Sequence, residues 1–226
     1  MSEPMAEYVT KSDLAYTRVR GLILSGDLAP GAVLPQAALA QEIGISTTPL
    51  REALRRLKQE GLVDLDAHRD ARVRPLDATE ARDLLEMRRS LDPLAARLAA
   101  QRRTEEDLVR IRTALDGLEA LPASPSVAQL ASHARFHAAV HRASHNALLV
   151  ETLDGLWVKT DRYRRHGLEA GRSDEERQAR ATEHRRLFEA VRDGDVETAA
   201  DLMQRHVESS LGARSADRLA DPEPSR

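Results

Sequence analysis

Apolar positions Ala15, Val19, Leu22 and Ile23 recur at i, i+4, i+7 and i+8 behind Ser12, a residue suited to capping, and predict a first helix that Gly26 ends. Residues 27–31 (DLAPG) carry turn chemistry. A short second helix is expected over residues 36–43, stopping at Gly44. Ser46 is placed to cap a third, beginning TTPLREALRRLKQE, which tolerates Pro49 in its first turn and closes at Gly61. Two β-type stretches, 62–66 and 71–74, flank a polar tip at residues 67–70. Three helices followed by a hairpin is the order of a winged helix-turn-helix.

From Thr79 onward no strand pattern occurs. Segments 79–102, 104–120, 126–144, 146–170, 174–193 and 195–212 all have helical periodicity, broken by runs such as LPASPS and RDGD. The expected fold is mainly α. A flexible arm (1–11) leads into a winged helix-turn-helix (12–76), then an all-α antiparallel bundle (77–213) and a disordered tail (214–226).

Composition narrows the chemistry. With 226 residues the chain can bury two cores, and no apolar run approaches the ~20 residues of a membrane span. The opening residues lack a signal-peptide pattern, so a cytoplasmic protein is expected. There is no cysteine, so any metal would be held by nitrogen and oxygen ligands. A net charge of −3 does not advertise nucleic-acid binding, and residues 1–77 balance at 10 Lys/Arg against 11 Asp/Glu.

Locally the charge is different. On a helical wheel Leu50, Ala53, Leu54 and Leu57 share the inward face of the third helix, with Thr48, Arg51 and Arg55 opposite. Residues 47–58 hold four basic side chains against one acid, Glu52. Hydroxyls at a helix N-terminus suit phosphates, and arginines on that face can reach phosphate or guanine. Arg69, Arg72 and Arg74 add positive charge in the wing. Charge alone would equally describe a solvated helix face; the order of elements tips the reading to DNA.

Histidines 133, 137, 141 and 145 stand four apart on one segment. Measured from the face of Phe136, Val140 and Ala143, the wheel turns His133 and His137 inward and rotates His141 and His145 away. His184 shares its face with Leu187 and Val191, and His206 with Ala199, Leu202 and Met203. One inward histidine is ordinarily a satisfied core residue. Four on three helices of a cysteine-free bundle point to a metal centre in its core.

Two resemblances sharpen this. The stretch from Val19 to Arg74 resembles the winged helix-turn-helix of the GntR family of bacterial transcription regulators. It does so through Pro30-Gly31-x-x-Leu34, Ile43-Gly44-Ile45-Ser46, Thr48-Pro49-Leu50-Arg51-Glu52-Ala53-Leu54 and Glu60-Gly61-Leu62-Val63. The resemblance implies that the third helix enters the major groove, with Ser46, Thr47, Thr48, Arg51, Arg55, Arg69 and Arg72 facing operator DNA. Thr47 stands where the family usually has arginine, Gln36 where it has an acid, Ala37 where it has a basic residue and Asp70 where it has glycine. These departures imply a different operator.

Residues 78–212 resemble the FCD-type ligand domain of the FadR-like subclass. The carrying residues are Arg88-x-x-Leu91-Asp92, Phe136-His137, Ser144-x-Asn146-x-x-Leu149, Glu183-His184 and the run from Ala199 to His206. Metal-binding members use an aspartate four residues before the first of three histidines. His137, His184 and His206 match the histidines, and His133 takes the aspartate's place. With His133 as a ligand the set is all-nitrogen and would favour zinc, with nickel or another first-row metal as alternatives; otherwise His133 points away and three histidines hold the ion, water or effector completing the shell. Either way an open coordination position would suit a small carboxylate effector, with Arg88, Asn146 and Arg162 as the expected effector-binding residues.

The expected function is that of a homodimeric regulator that is not an enzyme, reading a pseudo-palindromic double-stranded operator under metal and carboxylate control. The alternative is a metal-dependent enzyme that activates water at the histidine cluster.

Overall fold

The computed structural model describes residues 10–66, 70–118, 121–122, 125–168 and 173–221. The chain divides into two units, Met1–Pro75 and Leu76–Arg226.

In the first unit α1 (Lys11–Ser25), α2 (Gln36–Ile43) and α3 (Thr47–Gln59) surround a core of Val19, Leu34, Leu50, Leu54, Leu57 and Leu62. The cap of α1 is Thr10, not Ser12. Its hydroxyl accepts from Asp13 N while Asp13 accepts from Thr10 N, a reciprocal pair that starts the helix two residues earlier than expected. Gly44 ends α2 at φ 78°, which lets the chain reverse directly into α3. Ser46 occupies the N-cap of α3 without a side-chain bond to the helix, so its hydroxyl is not spent on the cap.

The wing is a three-stranded antiparallel sheet, not a two-stranded hairpin. Strand β1 (Val33–Leu34) pairs with β3 (Ala71–Val73), which also pairs with β2 (Val63–Asp64). Two residues are too few for a period to show, which is why β1 is silent in the sequence. The tip at residues 67–69, with its expected DNA contact Arg69, lies outside the described residues.

The second unit is a helical bundle of α4 (Ala78–Arg102), α5 (Glu105–Asp116), α6 (Val127–Arg142), α7 (Ala147–Leu168), α8 (Asp174–Asp193), α9 (Val196–Glu208) and α10 (Leu211–Ala220). Phe136, Val140, Leu187, Val191, Met203 and Val207 form its main core. Each such side chain contributes roughly 1.5–3 kcal/mol on burial. The expected segment 195–212 is interrupted after Glu208, and Ser210 caps a further helix through Ala213 N. Residues 214–220 therefore belong to α10 and not to a disordered tail. Among the described residues no helix is long and apolar enough to cross a membrane.

Helix α10 is seated against α7 at Gly167. A Cβ built there would lie 2.1 Å from the carbonyl oxygen of Leu211, so only glycine permits this approach. Gly167→Ala gains about 1 kcal/mol of helix propensity but must push α10 away. A net loss of about 1–3 kcal/mol is expected in the urea unfolding of the second unit. An unchanged midpoint would show that α10 is not packed this closely.

Candidate effector and DNA-reading sites

The four expected histidines converge. His133 and His137 come from α6, His184 from α8 and His206 from α9, and one ring nitrogen of each lies within 4.8 Å of all the others. Ring centroids are 4.7 Å apart for His133 and His137, 4.8 Å for His137 and His206, and 4.7 Å for His184 and His206. Both ring nitrogens of His137 and Nδ1 of His133 are buried with no hydrogen-bond partner among the described residues. Burial pushes His133 and His137 well below the ordinary histidine range, and the nearby positive charge of Arg164 adds to it for His133. Burial lowers His206 as well, partly offset by Glu183.

This donor set fits a transition metal. Neutral imidazole is the ligating form, so groups that resist protonation are ready to coordinate. Tetrahedral bonds of about 2.1 Å put ligand nitrogens about 3.4 Å apart, so the widest pair would have to close by about 1.4 Å on binding. Nδ1 of His206 lies 3.2 Å from Glu183 Oε2, which leaves Nε2 as its ligand atom and fixes the ring. Glu183 is itself held by Arg180 at 2.7 Å.

His141 corrects the wheel. It is 1% exposed, with Nε2 3.3 Å from Asp92 Oδ1. Helix α6 packs on α4, α5 and α7 together, so a wheel drawn from one apolar face misses the second buried side. His145 stands just past α6 at φ 48°, its Nε2 2.7 Å from Asp107 Oδ2, and ties the α6–α7 turn to the start of α5.

Beside the histidines opens a cavity lined also by Trp157 and several arginines. Arg88 lines it as expected. Its Nε and Nη2 each donate to Asp92 at 3.1 Å, and its guanidinium lies 4.3 Å from the Trp157 ring. Burial alone would raise Asp92, but Arg88 and His141 overcome it and hold the carboxyl far below its usual range.

The other two expected effector residues do not line this cavity. Asn146 caps α7 through Leu149 N at 3.2 Å. Arg162 is buried against Glu80 and the Tyr163 hydroxyl. The arginines missed are Arg164, Arg177 and Arg180, and Arg164 lines the cavity with Trp157. Seven residues separate the two, which returns a helix to the same face, whereas Arg162 at five residues points elsewhere. That spacing was the available signal.

In the first unit Ser46, Thr47, Thr48, Arg51 and Arg55 are all exposed, on the side of α3 opposite its buried leucines. Arg51 Nε donates to Gln36 Oε1 at 3.0 Å, so the glutamine on α2 orients the arginine on α3. Arg56 is spent internally, 2.7 Å from Asp13 and 4.1 Å over the Tyr16 ring. In the wing Arg72 donates to the Gly31 carbonyl.

The bacterial regulatory protein model of the gntR family matches residues 11–73, and the FCD domain model matches residues 83–209. The chain belongs to the GntR family and carries its FCD domain. A transcriptional regulator in an unstable DNA locus of Streptomyces ambofaciens is 32% identical, covering 92% of this chain and 86% of that one. The regulator LutR of Bacillus subtilis is 32% identical, covering 82% and 93%. The solved Escherichia coli McbR/YncC shares the fold, with a TM-score of 0.72 at 24% identity over 88% of this chain and 96% of that one. This GntR protein is thus a transcriptional regulator, and the enzyme alternative finds no support among these relatives.

The displaced histidine titrations give a pH prediction for the chelated regulator. Below the ordinary value of 6.5, the unfolded chain takes up protons that native His133, His137 and His206 refuse. Stability therefore falls as pH drops from 6.5 toward their depressed native values. The loss is up to roughly 1.4 kcal/mol per pH unit for each histidine, and above 6.5 these three add no slope. Denaturant midpoints measured from pH about 7.5 to about 5.5 test this, and His137→Gln should flatten the slope. A flat wild-type profile would contradict it.

Proposed function

We propose that this regulator senses a small carboxylate at a divalent transition-metal centre in its FCD domain and transmits that occupancy to operator binding. The reading rests on four imidazoles from three helices, three buried and His133 half-buried, their nitrogens within 4.8 Å, beside a cavity walled by guanidinium groups. His133, His137, His184 and His206 are the proposed ligands, zinc the first choice and nickel or another first-row metal the alternatives. When bound, the metal would supply a Lewis-acidic position for a carboxylate oxygen. Arg88 is positioned by Asp92 to take part of the effector's charge, its outer nitrogen Nη1 not used in that pair.

At the other end, Ser46, Thr47, Thr48, Arg51, Arg55 and Arg72 are the proposed DNA contacts, with Arg69 as a further contact of the wing tip. The protein acts in the cytoplasm as a homodimer on a pseudo-palindromic operator, its half-site spacing set by the two-fold axis. An effector alters DNA affinity only if it binds two arrangements of the dimer unequally.

Two variants separate the two halves of this reading. Arg51→Ala should weaken operator binding by about tenfold or more in a gel shift while leaving metal content unchanged. The pair His184→Ala and His206→Ala should strip the metal in elemental analysis. Metal content equal to wild type in that double variant would remove the proposed centre, whatever the DNA result.

A further inference from the structure

Four arginines line the cavity alongside His133, His184 and His206. Arg88, Arg164, Arg177 and Arg180 all line it, and each is paired with a carboxylate of its own helix: Asp92, Asp161, Asp174 and Glu183 respectively. These pairs are close to neutral, and neutral imidazoles add no charge. A divalent cation held by four imidazoles would bring two positive charges that no protein ligand offsets. In a site shielded from water, that excess favours a ligand carrying two negative charges.

Arg164 supplies the place for the second charge. It is 3% exposed, and Nη1 donates to Asp161 Oδ1 at 3.0 Å and to the Leu130 carbonyl at 3.3 Å. Its Nη2 is buried with no hydrogen-bond partner among the described residues, and Nε1 of Trp157 is in the same state. A buried donor left unpaired is costly, and an acceptor reaching it recovers that loss. The first turn of α10 lines the same cavity through Ser210, Leu211 and Gly212. The leading N–H groups of a helix lack intrahelical partners and carry the positive end of its dipole. Helix α10 lies beyond residues 83–209, so this wall is outside the part of the chain that the FCD family model matches.

We propose that the effector is a small dicarboxylate, with one carboxylate at the imidazole end and the other held by Arg164 and the first turn of α10. This rests on the metal-centred sensing reading above. A monocarboxylate would satisfy only the first end and leave the donors of the second unpaired.

Isothermal titration of the zinc-loaded full chain with malonate, succinate, acetate, propionate and inorganic phosphate tests it. A dicarboxylate should bind at least about tenfold more tightly than either monocarboxylate and than phosphate. Arg164→Lys should remove most of that advantage while zinc content stays the same. Gly167→Ala, which displaces α10 with Arg164 intact, should reduce it too, so the test survives if one variant fails to fold. Equal affinities in the wild type, tighter binding of phosphate, or an advantage that persists in both variants would overturn the proposal. A wild type that holds no zinc, nickel or other first-row metal sinks the metal-centred reading instead. The same acids titrated against the metal-free chain would then still have to show the Arg164-dependent preference, or the second anchor falls as well.

Discussion

Imidazoles withdrawn from water without hydrogen-bond partners are costly, and this cost organises the helical unit. His137 has both ring nitrogens buried and unpaired, and His133 one, in a region where Arg88 and Arg164 add positive charge. Protonating these rings would concentrate still more positive charge there, so burial and neighbours together keep His133, His137 and His206 neutral. Neutral and converging, with His133 and His137 short of partners, they form a nucleus of donors to a metal and a poor nucleus for a stable apolar core. The free energy that holds them in place comes from the surrounding Phe136, Val140, Leu187 and Met203.

The carboxylates around the site are withdrawn from it. Asp92 is turned to Arg88 and His141, Asp161 to Arg164, and Glu183 to Arg180 and His206. Each acid orients a cationic or imidazole neighbour and does not itself line the cavity. Among the described residues the walls therefore present donors and aromatic surface, an arrangement matched to an anionic guest. In the first unit the same residue type is divided differently. Arg56 is consumed by Asp13 and Tyr16 to lock α3 onto α1, while Arg51 and Arg55 stay at the surface.

The sequence by itself carried the winged helix-turn-helix order, the helical character of the second unit and the convergence of His133, His137, His184 and His206. Those features depend on periodicity and on residue types whose burial demands a partner, and both are local properties of the chain. Tertiary structure decided what periodicity could not. It buried His141 by packing α6 on more than one side, and it added β1 to the wing through pairing with β3. It turned residues 211–220 into α10 because Gly167 admits the Leu211 carbonyl. It also exchanged Arg162 for Arg164 at the cavity. A wheel drawn from one apolar face sees a single neighbour, whereas a bundle gives each helix several. Which arginine meets a ligand was therefore settled by the helices that surround it.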